Sequence, residues 1–167
     1  MELTKRISDR TENLLNLRVQ GEYQSFYIYN AMSNWCDCYG FYKAKDKFRE
    51  YADEELKHAR KLIDYILDRN GIAKTPTITE VPSEYMSLLD VVNKAYQHEC
   101  SITSSYNTIL PIVKEEKDEV TYDFLQWFIH EQVEEEAKFG DQLITAKRLG
   151  ITDTSTGIEL LKFEELL

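Results

Sequence analysis

Glu54-Glu55-Leu56-Lys57-His58 lies in the middle of a long amphipathic segment and sets a carboxylate and an imidazole one helical turn apart. Residues three apart share a helix face, so Glu55 and His58 can reach one metal ion. The seam that carries them reads Phe48, Tyr51, Glu55, His58 or Ala59, Leu62 and Ile66. An E-x-x-H pair alone is common on solvated helices, and its meaning depends on what the other segments carry.

Three other segments show the same interruption. Leu15, Val19, Glu22, Phe26 and Tyr29 step alternately by four and three, the spacing of a bundle-forming helix, with Glu22 inside the stripe. Leu88, Val92, Ala95, Glu99, Ile102, Tyr106, Ile109 and Val113 keep that rhythm with Glu99 as the charged member. Phe128, Gln132, Glu135, Phe139, Gln142, Ala146 and Leu149 repeat it. Burying an ionised carboxylate costs several kcal/mol, comparable with the net stability of a domain, so carboxylates on four seams require cations among them. Two divalent ions would neutralise them. Oxygen ligands with one imidazole suit iron or manganese, and the thiolate sets of structural zinc are missing.

A chain of 167 residues fits one domain with a four-helix core, and 30% charged residues with six Gly and three Pro favour helix. Twenty basic against thirty acidic residues leave a net charge of -10, which argues against nucleic acid or an anionic membrane as partner and for attraction of cations. No segment is apolar enough to span a bilayer, and residues 1–6 enter a helix without the apolar run of a signal peptide, which predicts a cytoplasmic protein. Cys36, Cys38 and Cys100 are an odd set with no second pair to close a thiolate site, and are predicted to be free buried thiols.

Periodicity and breakers predict a single domain over 1–167 with helices at about 4–37, 44–69, 84–113, 118–149 and 157–166. Asn70-Gly71 reads as a helix stop, and 71–84, with Pro76 and Pro82, as a long crossover. Pro111 is expected to kink or end the third helix, and the last helix is too short to stand alone and must dock. Glu115, Glu116, Asp118 and Glu119 cluster at the turn between the third and fourth helices. They read either as a charged opening that concentrates cations or as a solvated turn whose acids favour the next helix start.

Gly21-Glu22-Tyr23-Gln24-Ser25 with Tyr29 and Met32-Ser33-Asn34-Trp35-Cys36, then Glu54 to His58, then His98-Glu99, Phe124-Leu125-Gln126-Trp127-Phe128 and Glu131-Gln132-Val133-Glu134-Glu135-Glu136, resemble the non-haem ferritins of the prokaryotic type. These belong to the ferritin-like di-iron carboxylate superfamily. The resemblance runs from about residue 5 to the short C-terminal helix. It implies an all-α, ferritin-like four-helix bundle with a long crossover between the second and third helices and a short fifth helix, which in the family packs at a symmetry axis. It places one metal at Glu22, Glu55 and His58 and a second at Glu55, Glu99 and Glu135, with Glu55 bridging. Gln132 matches a residue that hydrogen-bonds a bound water or oxygen species. Glu54, Glu131 and Glu134 match an additional iron site that shares Glu135, and Tyr29 and Trp127 match aromatics beside the di-iron centre.

The resemblance further implies a ferroxidase: Fe(II) is oxidised by dioxygen or hydrogen peroxide, and ferric mineral is stored in a homo-oligomeric shell of 24 subunits, without nucleic acid or membrane partners. The alternative is a di-metal peroxidase or oxidase of the rubrerythrin or bacterioferritin type that stores no mineral. Those relatives repeat E-x-x-H on the last long helix, where this chain has Gln132-x-x-Glu135, and haem-binding relatives carry Met where Leu56 stands, so no haem is expected.

Overall fold

The structure, a computed structural model, describes residues 4–167. The N-terminal expectation for residues 1–3 therefore lies outside the described residues. Five helices form, α1 (Asp9–Cys38), α2 (Tyr42–Asp68), α3 (Leu88–Glu115), α4 (Glu119–Arg148) and α5 (Ile158–Glu165), and no strand occurs among the described residues. The four long helices make an all-α bundle in which α1 packs mainly on α2 and α3 on α4, with α5 resting on α2.

Local chemistry sets the helix ends. The first helix starts at Asp9 rather than near residue 4, because Ser8 is extended and its hydroxyl accepts from Thr11 N at 2.9 Å. Residues before it are tied elsewhere, Arg6 N donating to Arg69 O at 2.9 Å. At the end of α2 the left-handed residue is Asn70, with φ of 56°, not Gly71. Gly71 is needed for a different reason: a Cβ there would meet Glu12 Oε2 at 2.6 Å. Pro111 neither ends nor interrupts α3, which continues to Glu115. Pro111 and Asn107 both face solvent, so the carbonyl left without its donor can be hydrated.

The crossover between α2 and α3 has no helix or strand, and α1 holds it by side chains. Asn16, Gln20 and Gln24 lie one helical turn apart along α1. Asn16 donates to Ile72 O at 2.9 Å and accepts from Lys74 N at 2.7 Å. Gln20 donates to Thr77 O at 2.8 Å, and Gln24 exchanges two bonds with the Thr79 backbone at 3.0 Å each. Three amides thus satisfy backbone groups that a sheet would otherwise pair.

The short α5 docks within the subunit. Phe163 is buried in the core, and Glu164 accepts from Lys43 N at 2.8 Å, capping the start of α2, where Phe41 offers no side-chain cap. Replacing Glu164 by Ala is expected to lower stability by about 1 kcal/mol, as for other N-cap losses. Thermal unfolding followed by circular dichroism checks this, and an unchanged midpoint would show that α5 leaves α2 indifferent.

Of the cysteines only Cys36 is buried. Cys38, two residues on and therefore on the far side of α1, is exposed, and Cys100 is partly buried. The expectation of buried thiols is thus corrected for Cys38.

Two apolar clusters fill the bundle. One gathers Tyr29, Met32, Trp35, Phe48, Phe139 and Phe163, and the other gathers Leu15, Val19, Leu62, Ile66, Tyr106 and Phe128. The polar seam residues occupy the layer between them.

Candidate metal centre

Each long helix delivers its share of that layer: α1 gives Glu22, α2 gives Glu55 and His58, α3 gives Glu99, and α4 gives Gln132 and Glu135. None of the six is more than 7% exposed. The α3 seam read from the sequence is buried at every position, because its step of three and four keeps one face inward along the whole helix.

Glu22, Glu55 and His58 offer ligand atoms that all lie within 4.8 Å of one another, the one such group among the described residues. Glu55 Oε2 stands 3.5 Å from His58 Nδ1 and, though buried, makes no hydrogen bond. An orphaned carboxylate oxygen in a dry layer is costly unless a cation takes it, so these residues fit a hard divalent ion. Glu99 and Glu135 fall outside this group of three, yet are close enough for their charges to act on Glu55.

Five other carboxylate oxygens of the layer are engaged by the protein itself. Glu22 Oε1 accepts from Arg18 Nη2 at 2.8 Å and from the Tyr106 hydroxyl at 2.6 Å. Tyr29 donates its hydroxyl to Glu99 Oε1, and Gln132 Nε2 donates to Glu99 Oε2 at 3.0 Å. Gln132 therefore orients Glu99. Both oxygens of Glu135 accept from Lys138 Nζ at 2.8 Å. Of the residues matched to the additional iron site, Glu54 is 45% exposed at its side chain, Glu131 is partly buried and Glu134 is exposed, and among the described residues they form no ligand group. Trp127 stands edge-on to His58 with ring centres 5.4 Å apart, at the rim of the layer, whereas Tyr29 is fully enclosed.

These surroundings divide the carboxyls by protonation. Burial pushes Glu55 well above the carboxylate range, and the charges of Glu22 and Glu99 add to it. Burial also lifts Glu99 to about 7, an effect that the hydrogen bonds from Tyr29 and Gln132 only partly oppose. Glu22 goes the other way: burial works against its charge, but Arg18 and the hydrogen bonds it receives hold it below its ordinary value.

A carboxyl whose folded pKa is raised favours the folded state most below its unfolded value, and that contribution is lost as pH rises through the folded value. For Glu99 the window runs from the ordinary 4.5 to about 7. Chelated protein is therefore expected to lose thermal stability between pH 5 and 7.5 through Glu99, and Glu55 is raised in the same direction. Zn(II), which displaces those protons, should remove the decline. A midpoint that rises over this window in chelated protein would contradict the assignment.

Two residues of this site, Arg18 and Lys138, lie off the seams, so the apolar spacing does not point to them. The signals were present: Arg18 and Glu22 are i, i+4, and Glu135 and Lys138 are i, i+3. The acidic cluster at the α3–α4 turn is largely occupied in holding the fold. Glu115 pairs with Arg10 at 3.2 Å, and Glu116 accepts from Ser8 and Thr11 at 2.6 Å each. Asp118 accepts from Thr121 N at 3.1 Å, capping α4, and pairs with Arg69 at 3.4 Å. Asp118 thus supplies the start of α4 that the helix-start reading expects.

The ferritin-like domain model matches residues 12–149. A probable bacterial non-heme ferritin-like protein of Haemophilus influenzae is 37% identical over 144 residues, covering 86% of this chain and 87% of the relative. A bacterial non-heme ferritin of Campylobacter jejuni is 35% identical over 144 residues, covering 86% of each. Among solved structures, an open pore ferritin from Archaeoglobus fulgidus superposes with a TM-score of 0.89 at 32% identity over 96% of both chains.

Proposed function

Because the chain belongs to the ferritin-like domain family, we propose that it is an iron-storage ferritin whose subunit binds and oxidises Fe(II) within the bundle. The observation that carries this reading is the buried layer itself: four helices each bring a carboxylate inward, and the orphaned oxygen of Glu55 faces His58. Glu22, Glu55 and His58 take one ferrous ion, and Glu55, Glu99 and Glu135 the second. Glu54, Glu131 and Glu134 supply the outlying carboxylates of a third position. Each ferrous ion gives one electron. Dioxygen takes two electrons and two protons and leaves as hydrogen peroxide, or hydrogen peroxide takes two of each and leaves as two waters.

The residues divide that work. Glu55 and Glu99 give up protons as metal binds, which supplies acid where the oxidant is reduced. Tyr29 and Gln132 hold Glu99 in place, Tyr106 and Arg18 hold Glu22, and the apolar clusters on either side exclude bulk water. Ferric product collects in a hollow homo-oligomer, taken from the family as 24 subunits. Exposed Tyr27, Tyr39, Tyr42, Ile72 and Met86 offer the single subunit apolar surface for such contacts. No helix among the described residues is long and apolar enough to cross a membrane, and the reading places the shell in the cytoplasm. The rubrerythrin- or bacterioferritin-type alternative is not favoured, since α4 presents Gln132-x-x-Glu135 and the relatives carry ferritin names.

Anaerobic Fe(II) titration followed by oxygen or peroxide, with native mass, tests the proposal. Two or more ions per subunit, oxidation on adding oxidant and a particle of many subunits are expected. A small species that binds no Fe(II) would overturn it.

A further inference from the structure

Lys138 is a basic side chain set among the acids on the α2–α4 side of the layer. Its ammonium donates to both oxygens of Glu135 at 2.8 Å, lies 3.6 Å from Glu54 Oε2 on α2, and sits 4.4 Å from the centre of the Tyr51 ring. An ordinary i, i+3 helix pair is solvated and joins two residues. This one grips both oxygens of its partner, reaches a second helix, and leaves the lysine side chain 29% exposed. It therefore stands where carboxylates from two helices face each other, the place a divalent ion would occupy.

Resting on the di-iron reading above, we infer that Lys138 is a tethered counter-cation that occupies the ion position between Glu135 and Glu54 and must withdraw before a metal can use Glu135. The physical reasoning is direct. An ammonium in contact with both Glu135 oxygens takes the bidentate face of that carboxylate, and a metal on the same group would stand close enough for the two cations to repel. A divalent ion brings twice the charge, whereas the lysine has a flexible four-carbon stem and a strongly hydrated head that solvent can receive. Exchange is thus possible, but the lysine taxes it. Ions should bind unequally: first at Glu22, Glu55 and His58, where no lysine intervenes, and more weakly at the position that needs Glu135.

Co(II) titration of the full chain by calorimetry and visible absorption tests this in the parent, K138M and K138R. The parent should show one tight ion and a weaker second ion. K138M should tighten the weaker phase by about tenfold or more, equivalent to roughly 1.4 kcal/mol, with the tight phase unchanged. K138R should follow the parent. Thermal unfolding supplies a second readout: chelated K138M should melt below the parent, and Co(II) should close the gap. Identical titrations for parent and K138M, or K138R behaving like K138M, would overturn the inference. So would a melting gap that Co(II) leaves untouched, the behaviour of a helix pair with a structural role only. A parent that binds no Co(II), or an E55A variant that keeps the tight phase, would instead remove the di-iron reading and this inference with it.

Discussion

Replacing Glu55 by Ala is expected to abolish rapid Fe(II) oxidation. Its carboxylate is the one shared by both proposed ions, so its loss leaves each with too few ligands. Changes to residues that merely support metal ligands cost about 10- to 100-fold, so removing a shared ligand should exceed about 100-fold in initial rate. Glu55 Oε2 makes no hydrogen bond within the protein, so its removal takes away no bond of that oxygen that holds the fold. Glu55→Gln, which keeps the volume, should lose the rate as well, whereas His58→Ala should chiefly weaken the first ion. Stopped-flow oxidation under oxygen measures all three. A Glu55→Ala variant that oxidised Fe(II) at the parental rate would sink the proposed centre.

The largest effect on stability is expected from Arg18→Met. Arg18 is 6% exposed, donates to Glu22 and to the Ser105 hydroxyl, lies over the Tyr106 ring at 4.6 Å, and occupies space that only a glycine at position 21 leaves free. Removing one partner of a buried pair strands the other charge, at a cost of roughly 3–5 kcal/mol. The lower end is expected, because Glu22 can take up a proton once Arg18 is gone. Denaturant unfolding of chelated protein reads the loss. The double variant Arg18→Met, Glu22→Gln should recover much of it, since no buried charge then remains. A single variant as stable as the double would show that Glu22 does not depend on Arg18.

Much of the architecture was legible because helix periodicity is a local property. The α2 seam from Phe48 to Ile66 and the α3 seam from Leu88 to Val113 are buried throughout, as their spacing requires. The α1 seam was harder to read. Its buried face also carries polar residues: Glu12 and Asn16 bond the crossover, Arg18 bonds Glu22, and Thr11, Ser25 and Ser33 bond groups elsewhere in the bundle. Helix ends also differed from the periodicity where a local device outweighed it, the Ser8 cap at the start of α1 and the solvent-facing setting of Pro111 in α3.

The sequence by itself determined that each of four long helices would bring a carboxylate into its apolar seam, and the spacing of Glu55 and His58 determined that two ligands would share a face. Both follow from the 3.6-residue turn, which needs no knowledge of neighbours. Only the tertiary structure decided which groups from other helices each carboxylate meets, Tyr106 at Glu22 and Tyr29 and Gln132 at Glu99, and which carboxyl is raised in pKa by its surroundings. The reason is that burial and charge act through space. The energy of a buried carboxylate is set by groups a few ångströms away on other helices, and their distance appears once the helices have packed.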